Sequence, residues 1–384
     1  MRKEIPENFI PFNKPGLAGK ELEYISRALE AGHISGNGIF TGQCQALLEK
    51  ELSVGRALLT TSCTHALEIS AILLDLSPGD EVIVPSFTFV TTALAFVMRG
   101  ARPVFIDIRP DTLNLDEDRL ENLITGRTRA LVPVHYGGVA CEMEKIMEIA
   151  RRRGLIVVED NAHGLFGSYR GRPLGSIGEL AALSFHETKN FSCGEGGALL
   201  VNNPELVERA EIIREKGTDR SRMFRGEVDR YTWLDLGSSY IPSDLLAAFL
   251  LAQLEEREKI RAGRRRIWEY YYRNLGPWAE DRDIRLPPRP PPDREPSHHL
   301  FYLLLPSSRI REKLILHLRD RRIHSVFHYL PLHLSPMGRR FGGEEADCPV
   351  AEEISGRLLR LPFYNDMKIE ELQRVVNAVK DFSA

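Results

Sequence analysis

Residues 155–163 read Leu155-Ile-Val-Val-Glu-Asp-Asn-Ala-His163, an apolar and β-branched run that ends in two adjacent carboxylates. Such a run is typical of a buried strand whose carboxyl end opens onto a functional edge of a sheet. Runs of the same kind alternate with longer helical patterns along the chain, and they occupy residues 57–61, 81–84, 103–107, 130–134, 181–185 and 198–201. This alternation predicts an α/β fold in which helices flank a mostly parallel seven-stranded sheet.

The helical patterns and one change in composition predict two domains. The segments 65–76 and 142–153 read as sheet-covering helices, and a long helix is expected from Ser243 to about Tyr272. A proline-rich stretch follows at 286–296, after which the pattern becomes a strand at 300–305, a helix at 310–322 and a strand at 325–328. We therefore predict a large domain over residues 1–250, which includes the N-terminal segment, and a small α/β domain over residues 251–384, which includes the long connecting helix.

Composition excludes several classes of protein. The 384 residues are 43% hydrophobic and carry a formal net charge of -3, so no overall basic field points to a nucleic-acid partner. The basic clusters 151–153 and 264–266 are interpreted as solvated helix faces. No apolar run reaches the ~18 residues of a membrane span, and the N-terminus lacks the apolar core of a leader peptide, so a cytoplasmic location without membrane contact is expected. The five cysteines are scattered, and no cluster has the spacing of metal ligands.

A lysine follows one of the predicted strands. Residues 184–190 read Ser-Phe-His-Glu-Thr-Lys-Asn, and a glycine-rich turn comes soon after at 193–197. Burial would lower the pKa of the Lys189 amine and make it nucleophilic near neutral pH. A solvated lysine in a surface loop is the alternative, and the heptapeptide alone does not exclude it.

Carboxylates end the strand quoted above. Asp160 at that position could pair with a protonated pyridine nitrogen, or it could serve as an ordinary helix N-cap. Asp160 and Lys189 are separated by one crossover and one strand, so they can face each other across the sheet edge.

Two further strand ends carry features of a cofactor site. Residues 60–67 run from a strand through small hydroxyl residues into a helix, whose N-terminus offers free N–H groups to a phosphate. Thr64 and Ser184 could add hydroxyl donors, although Ser and Thr are also common N-caps. Phe89 follows another strand and could lie on a planar ring or pack in the core. The chain has neither a P-loop nor a Gly-x-Gly-x-x-Gly motif after a strand, so triphosphate and dinucleotide sites are not expected.

In this chain order, the motifs together resemble those of a known family, the DegT/StrS-type aminotransferases that act on nucleotide-linked keto sugars and have the fold-type-I architecture of pyridoxal-phosphate enzymes. The resemblance runs over nearly the whole chain. Its marks are residues 11–12, 36–38, 62–67, 85–89, 133–137, 159–163, 184–190, 194–197 and 329–333.

The resemblance implies a role for each matching residue. Lys189 would hold pyridoxal 5'-phosphate as a Schiff base and shuttle the proton, and Asp160 would pair with the pyridinium. The remaining cofactor contacts would come from Phe89 on the ring, His163 near the phenolic oxygen, and Cys63, Thr64 and Ser184 on the phosphate. Ile241 departs from the family pattern, which often has an Asn there that reaches the phosphate of the neighbouring subunit; Ser238, Ser239 or Tyr240 are candidate replacements.

The resemblance also implies a reaction. L-glutamate would donate its amino group to the cofactor, which would then aminate C4 of dTDP-4-dehydro-6-deoxy-D-glucose to give dTDP-4-amino-4,6-dideoxy-D-galactose, a sugar of enterobacterial common antigen. A homodimer with shared active sites is expected. Substrate contacts are predicted at Phe12 and His333, and at Arg220 and Arg225 for the diphosphate, although these arginines could equally be surface charges. Another keto sugar, a C3 or gluco product, a dehydratase and a cofactor-binding regulator are the alternatives, and Lys189 speaks against the dehydratase, which has histidine in its place.

Overall fold

The computed structural model describes residues 8–383 of the chain. Its twelve strands are β1 (Arg56–Thr60), β2 (Glu81–Pro85), β3 (Arg102–Ile106), β4 (Thr128–Leu131), β5 (Ile156–Asp160), β6 (Ser168–Tyr169), β7 (Arg172–Pro173), β8 (Leu180–Ser184), β9 (Gly197–Val201), β10 (Arg294–Glu295), β11 (Tyr302–Leu304) and β12 (Leu358–Arg360). Each of the seven long strands predicted from the sequence is present, with ends displaced by no more than a few residues.

The main sheet has the strand order β1-β9-β8-β5-β4-β2-β3. Parallel pairing joins β3, β2, β4, β5 and β8, whereas β9 runs antiparallel to both β8 and β1. Six strands therefore point the same way, and their carboxyl ends meet at one edge. The prediction of a mostly parallel seven-stranded sheet is confirmed.

In the described part of the chain, fourteen α-helices surround the sheets. They are α1 (Glu21–Glu30), α2 (Ile39–Leu52), α3 (Cys63–Leu73), α4 (Thr91–Val97), α5 (Leu120–Leu123), α6 (Met143–Arg153), α7 (Val207–Arg214), α8 (Arg220–Phe224), α9 (Asp244–Glu255), α10 (Arg257–Glu280), α11 (Ser308–Asp320), α12 (Pro336–Arg339), α13 (Pro349–Arg357) and α14 (Ile369–Lys380). Short 3-10 turns occur at Tyr136–Gly138, Pro204–Leu206 and Leu332–Leu334.

Side-chain alternation along the strands builds a core on each face of the main sheet. In β1, Ala57 and Leu59 pack toward α2 and α9, whereas Leu58 packs toward α3 and α7. This is the two-residue period of a strand that is covered on both faces. Because α3 also lies between the sheet and other helices, it is apolar nearly all round.

A separate apolar core forms in the C-terminal part of the chain. It joins α10, α11 and α14 with β11 and β12, and it includes Trp268, Tyr271, Phe301 and Leu359. Ile10 reaches this core from the N-terminal segment through a bridge to Ile323. The division into residues 1–250 and 251–384 stays a prediction.

Two predicted elements differ from the structure. The long helix expected from Ser243 to Tyr272 is two helices, since Glu256 leaves the helical region with φ -90° and ψ 20° between α9 and α10. The strand expected at 325–328 is only a single bridge between Val326 and Arg360.

Residues 264–266 are interpreted from the sequence as a solvated helix face, but one of these arginines is buried. Arg264 is only 2% exposed and donates to the carbonyl oxygens of His298 and His299 and to Asn365 Oδ1. It therefore ties α10 to two loops of the C-terminal part.

Within residues 8–383, no helix is both long and apolar enough to cross a membrane. The same residues contain no group of three or more His, Cys, Asp or Glu side chains arranged to hold a metal ion.

Candidate active site

A cavity of about 680 Å³ lies at the carboxyl edge of the main sheet, where the C-terminal part of the chain closes over it. Eight of the residues predicted from the sequence line this cavity, namely Phe12, Cys63, Thr64, Phe89, Asp160, His163, Ser184 and Lys189. All but Phe12, which comes from the N-terminal segment, lie at or after the ends of strands of the main sheet, and the sheet brings them together.

Lys189 lies in the loop that joins β8 to β9. The loop is folded back on itself, because Phe185 N donates to Gly196 O at 2.8 Å and Lys189 N donates to His186 O at 2.9 Å. The pKa of the Lys189 amine is lowered from 10.5 to about 8, mainly by burial; Cys63 and Asp160 oppose this effect, and the charge of Arg360 adds to it. The amine is therefore much closer to its neutral, nucleophilic form at pH 7 than an exposed lysine would be.

Asp160 ends β5 and points into the cavity. Its Oδ2 accepts a 2.7 Å hydrogen bond from the Thr92 hydroxyl, and its Oδ1 accepts one from Ala162 N. Thr92 is positioned in turn by Thr88, whose hydroxyl lies 2.9 Å away. The carboxylate is thus held in one orientation beside the space that a ligand would fill.

Glu159, the preceding residue, points to the opposite face of the strand. It is fully buried, and it accepts hydrogen bonds from three backbone N–H groups and faces His135 Nε2 at 2.9 Å. Although burial raises the pKa of this carboxyl, these partners lower it by more. Glu159 is therefore part of the framework and not of the cavity.

The N-terminus of α3 forms a cup at the base of the cavity. Ser62 caps the helix by accepting from His65 N at 3.1 Å, and the first N–H groups of the helix, at Cys63 and Thr64, have no intrahelical acceptor. Gly197 packs against this turn so closely that a Cβ would lie 2.4 Å from Cys63 N. The absence of a side chain at Gly197 therefore keeps the cup in shape.

Phe89 is 55% exposed although it lines the cavity. Its ring lies 6.5 Å from that of Tyr329. An aromatic face left open beside a cavity offers a planar surface for a ligand ring.

Three buried imidazoles form one wall. His163 stacks on His299 with ring centroids 4.1 Å apart, and His328 lies 6.0 Å away on a nearly parallel plane. Burial lowers the pKa of all three rings well below 6.5, and the charge of Lys189 adds to this effect. The wall therefore carries neutral donors and acceptors near pH 7.

A chain of hydrogen bonds ties the lysine loop to the C-terminal part. Asn190 donates to Ser297 O at 2.9 Å, and its Oδ1 lies 2.8 Å from His299 Nδ1. Asn365 donates to Asn190 O at 3.0 Å and accepts from Arg264 at 2.7 Å. We refer to Asn190, Ser297, His299, Asn365 and Arg264 as the anchoring network.

Sequence reasoning missed several residues of the cavity. His299 lines the cavity and Thr92 donates to Asp160 from behind it, but neither belongs to a recognisable pattern. Arg360 lines the cavity from β12, and a charged residue inside the apolar run 358–362 was a signal that could have been used.

His333, predicted as a substrate contact, is not brought to this cavity by the structure. The ring is fully buried, with Nδ1 2.6 Å from Ser86 Oγ and Nε2 3.0 Å from Glu352 Oε1. Both ring nitrogens are therefore occupied in joining the strand end after β2 to α13.

Arg220 and Arg225 also lie outside the cavity lining. Arg220 lies over the rings of Phe224 and Tyr231, and Arg225 forms ion pairs with Glu211 and Glu227. Arg220 also pairs with Glu215, so both arginines are surface ion-pair residues in this chain, and neither reaches the cavity.

The segment around Ile241 supports the cup from behind. Tyr240 O accepts from Thr61 N at 2.9 Å, and the Tyr240 ring packs 5.0 Å from His65. Tyr240 is buried, whereas Ser238 and Ser239 are exposed. Of the three candidate replacements for the family Asn, only the two serines have side chains exposed at the surface, where a neighbouring subunit could be contacted.

Comparison with known proteins gives a consistent result over nearly the whole chain. The model of the DegT/DnrJ/EryC1/StrS aminotransferase family matches residues 16–380. The chain is 33% identical to GDP-perosamine synthase from Caulobacter vibrioides, with 95% of this chain and 96% of that protein covered. It is 32% identical to the spore coat polysaccharide biosynthesis protein SpsC from Bacillus subtilis, with 97% of each covered. Among solved structures, a putative sugar aminotransferase, Spr1654 from Streptococcus pneumoniae in its PMP form, superposes with a TM-score of 0.89 at 26% identity, with 97% of this chain and 98% of that chain covered.

Proposed function

Because the chain belongs to the DegT/DnrJ/EryC1/StrS aminotransferase family and is a pyridoxal-phosphate-dependent sugar aminotransferase, we propose that it moves the amino group of L-glutamate to C4 of dTDP-4-dehydro-6-deoxy-D-glucose. The product is dTDP-4-amino-4,6-dideoxy-D-galactose. The two substrates react in turn, the first leaving its amino group on the cofactor and the second collecting it.

The observation that carries this proposal is the meeting of two motif strings in one cavity. Ser184, His186 and Lys189 of the string 184–190 face Val326, Phe327, His328 and Tyr329, which precede Leu330-Pro331-Leu332-His333. The string 184–190 and the string 329–333, which begins at Tyr329, are marks of the resemblance on which the C4 assignment rests. Their side chains supply the reacting amine and the wall against which a sugar would lie.

The acceptor is tested directly. Purified protein is incubated with L-glutamate and dTDP-4-keto-6-deoxyglucose, and the product is identified by mass and NMR. An axial amine at C4 supports the galacto product, whereas an equatorial amine or a C3 amine contradicts it. A parallel reaction with a GDP-linked 4-keto-6-deoxyhexose tests the nucleotide, since one of the relatives above is named for a GDP-linked product.

The cavity residues fit pyridoxal phosphate. The cup at Cys63 and Thr64 would bind the phosphate, Phe89 would lie on the ring, and Asp160 would pair with the ring nitrogen. The helix start supports this fit, because Ser62, Cys63 and Thr64 all line the cavity. Only a glycine at position 197 allows this turn its position, since a Cβ there would collide with the Ser62–Cys63 peptide. When bound, the cofactor supplies an electron sink for the carbanion formed at the reacting carbon.

The side chains of the chain itself move and hold the proton. Lys189, with a pKa of about 8, can take a proton from the reacting carbon and return one near neutral pH. Asp160, whose carboxylate is held in one orientation by Thr92, would keep the ring nitrogen of the cofactor protonated. His163, held neutral by burial, would hydrogen-bond the phenolic oxygen without adding charge.

We expect Gly197→Ala to weaken the affinity for pyridoxal phosphate by about 10-fold or more. The added Cβ would force the Ser62–Cys63 peptide to move, and each charge-assisted hydrogen bond lost to the phosphate is worth about 1.5–3 kcal/mol. Absorbance titration of the apoprotein measures the Kd. Gly126→Ala is the matched control, because a Cβ at that position would meet no atom within 4 Å; equal affinities in the two variants would contradict the assignment of the cup.

We expect the Lys189 amine of the apoprotein to titrate near pH 8. A lysine with this pKa is about one-tenth neutral at pH 7, and its reactivity rises with pH until it levels off above the pKa. Competitive acetylation across a pH series, read by mass spectrometry with the exposed Lys50 as an internal reference, measures the midpoint. A midpoint near 10.5 would show that burial does not activate this amine.

A homodimer is proposed on the basis of exposed apolar side chains. Trp233 is 77% exposed, and Phe224, Tyr231, Leu234 and Leu236 near it are also at least half exposed. Apolar surface of this extent commonly marks an interface. Sedimentation equilibrium measures the mass in solution, and a monomer at micromolar concentration would contradict the proposal.

A further inference from the structure

Arg360 is a partly buried cation at the edge of the cavity. It ends β12, its Nε and Nη2 donate to the single carbonyl oxygen of Phe327 at 3.3 and 3.0 Å, and its guanidinium lies 4.6 Å from the centre of the Phe12 ring. Within residues 8–383 no carboxylate lies at ion-pair distance from it. Phe327 and Phe12 therefore orient the guanidinium but do not neutralise it.

Arg360 differs from Arg264, the other arginine described above, in how its guanidinium is hydrogen-bonded. Arg264 is also buried without a carboxylate, but its three guanidinium nitrogens donate to three different oxygen atoms, so it is a satisfied framework residue. Arg360 uses two nitrogens on one oxygen, and it faces the cavity. Leaving a charge out of water without a counter-charge is costly, so the arrangement indicates an anionic ligand.

The position of Arg360 selects among anions. This residue lines the same cavity as Lys189, His163 and His328, and its charge lowers the pKa of all three groups. The α-carboxylate of an amino acid is one bond from the carbon that loses its proton. The diphosphate of a nucleotide sugar is separated from C4 by the hexose ring, and would therefore lie farther from Lys189.

We propose that Arg360 binds the α-carboxylate of the amino donor through the guanidinium N–H groups that the Phe327 carbonyl leaves unused, with Phe12 and that carbonyl holding the guanidinium in place. Two parallel N–H···O bonds from one guanidinium suit a carboxylate. The neighbouring imidazoles of His163, His299 and His328 are neutral, so the positive charge of this wall comes from Arg360. The inference rests on the amino donor of the proposed function and not on the identity of the sugar.

The test uses the holoenzyme and the first half-reaction alone, followed by the absorbance change of the cofactor. We expect Arg360→Met to raise the apparent Kd for L-glutamate by about 10-fold to 100-fold, the range of a charge-assisted hydrogen bond. Arg360→Lys should recover part of this loss. The spectrum and the Kd of bound pyridoxal phosphate should stay unchanged, which a merely structural role would not predict. Arg339→Met, at the exposed end of α12, is the matched control.

L-glutamine distinguishes the α-carboxylate of L-glutamate from its side-chain carboxylate, because it keeps the first and has an amide in place of the second. It is used as a substrate or as a competitor of L-glutamate. An equal loss of affinity for both amino acids supports binding of the α-carboxylate, whereas a loss for L-glutamate alone overturns it in favour of the side-chain carboxylate. Unchanged binding of both amino acids, with a raised KM for the nucleotide sugar, overturns it in favour of the diphosphate. No sugar enters the first half-reaction. The test of Arg360 therefore remains valid even if dTDP-4-dehydro-6-deoxy-D-glucose is not the acceptor.

Discussion

Lys189→Ala is expected to lower the rate of amino transfer by about 10⁴-fold, because one side chain provides both the covalent attachment of the cofactor and the proton transfer at the reacting carbon. The buried position of the amine and its pKa of about 8 suit it to both tasks. The first half-reaction with L-glutamate, followed in a single turnover, measures the loss. Borohydride treatment followed by mass spectrometry measures the covalent attachment.

The comparison for this variant is Lys50→Ala, since Lys50 is exposed on α2, away from the cavity. It should keep the full rate and the borohydride-stable adduct. Normal turnover together with a reducible cofactor adduct in Lys189→Ala would show that another residue has the role assigned to this lysine.

Asp160→Asn is expected to lower the same rate by roughly 10²-fold to 10³-fold. The substitution keeps the shape of the side chain but removes the charge that would hold a proton on the ring nitrogen, and losing a partner of a buried charge pair costs about 3–4 kcal/mol. Cofactor binding through the cup should persist, so the loss should fall on the rate constant. Stopped-flow absorbance separates the rate constant from the apparent Kd for L-glutamate.

A second variant tests how Asp160 is positioned. Thr92→Val removes the 2.7 Å hydrogen bond to Oδ2 but leaves the charge, so a smaller loss, of about 10-fold, is expected. Asp118→Asn, on the surface, is the control. If Asp160→Asn reacted as fast as the unaltered protein, the pairing with the ring nitrogen would be refuted.

The sequence predicted the sheet and one wall of the cavity well, because both depend on local patterns. Apolar runs located the strands, and residues just after a parallel strand meet at one edge, which is why Thr64, Phe89 and Asp160 come together. Lys189 gained its significance from this order and not from its own heptapeptide.

The opposite wall was predicted less well for a physical reason. Arg360 and His299 reach the cavity through tertiary packing of the C-terminal part, and no local period indicates which side of a short strand will face a distant sheet edge. His333 is the opposite case, a residue that belongs to a recognisable motif but does not reach the cavity. Its two ring nitrogens are hydrogen-bonded to Ser86 and Glu352 inside the protein.

The anchoring network has a consequence for how substrates come and go. Because Asn190 follows the reacting lysine and is hydrogen-bonded to Ser297, His299 and Asn365, the two walls cannot swing apart without breaking at least three hydrogen bonds inside the protein. We therefore expect ligands to enter and leave through a fixed opening of the cavity beside the exposed Phe89. The large and small parts of the chain should not need to move apart for this exchange.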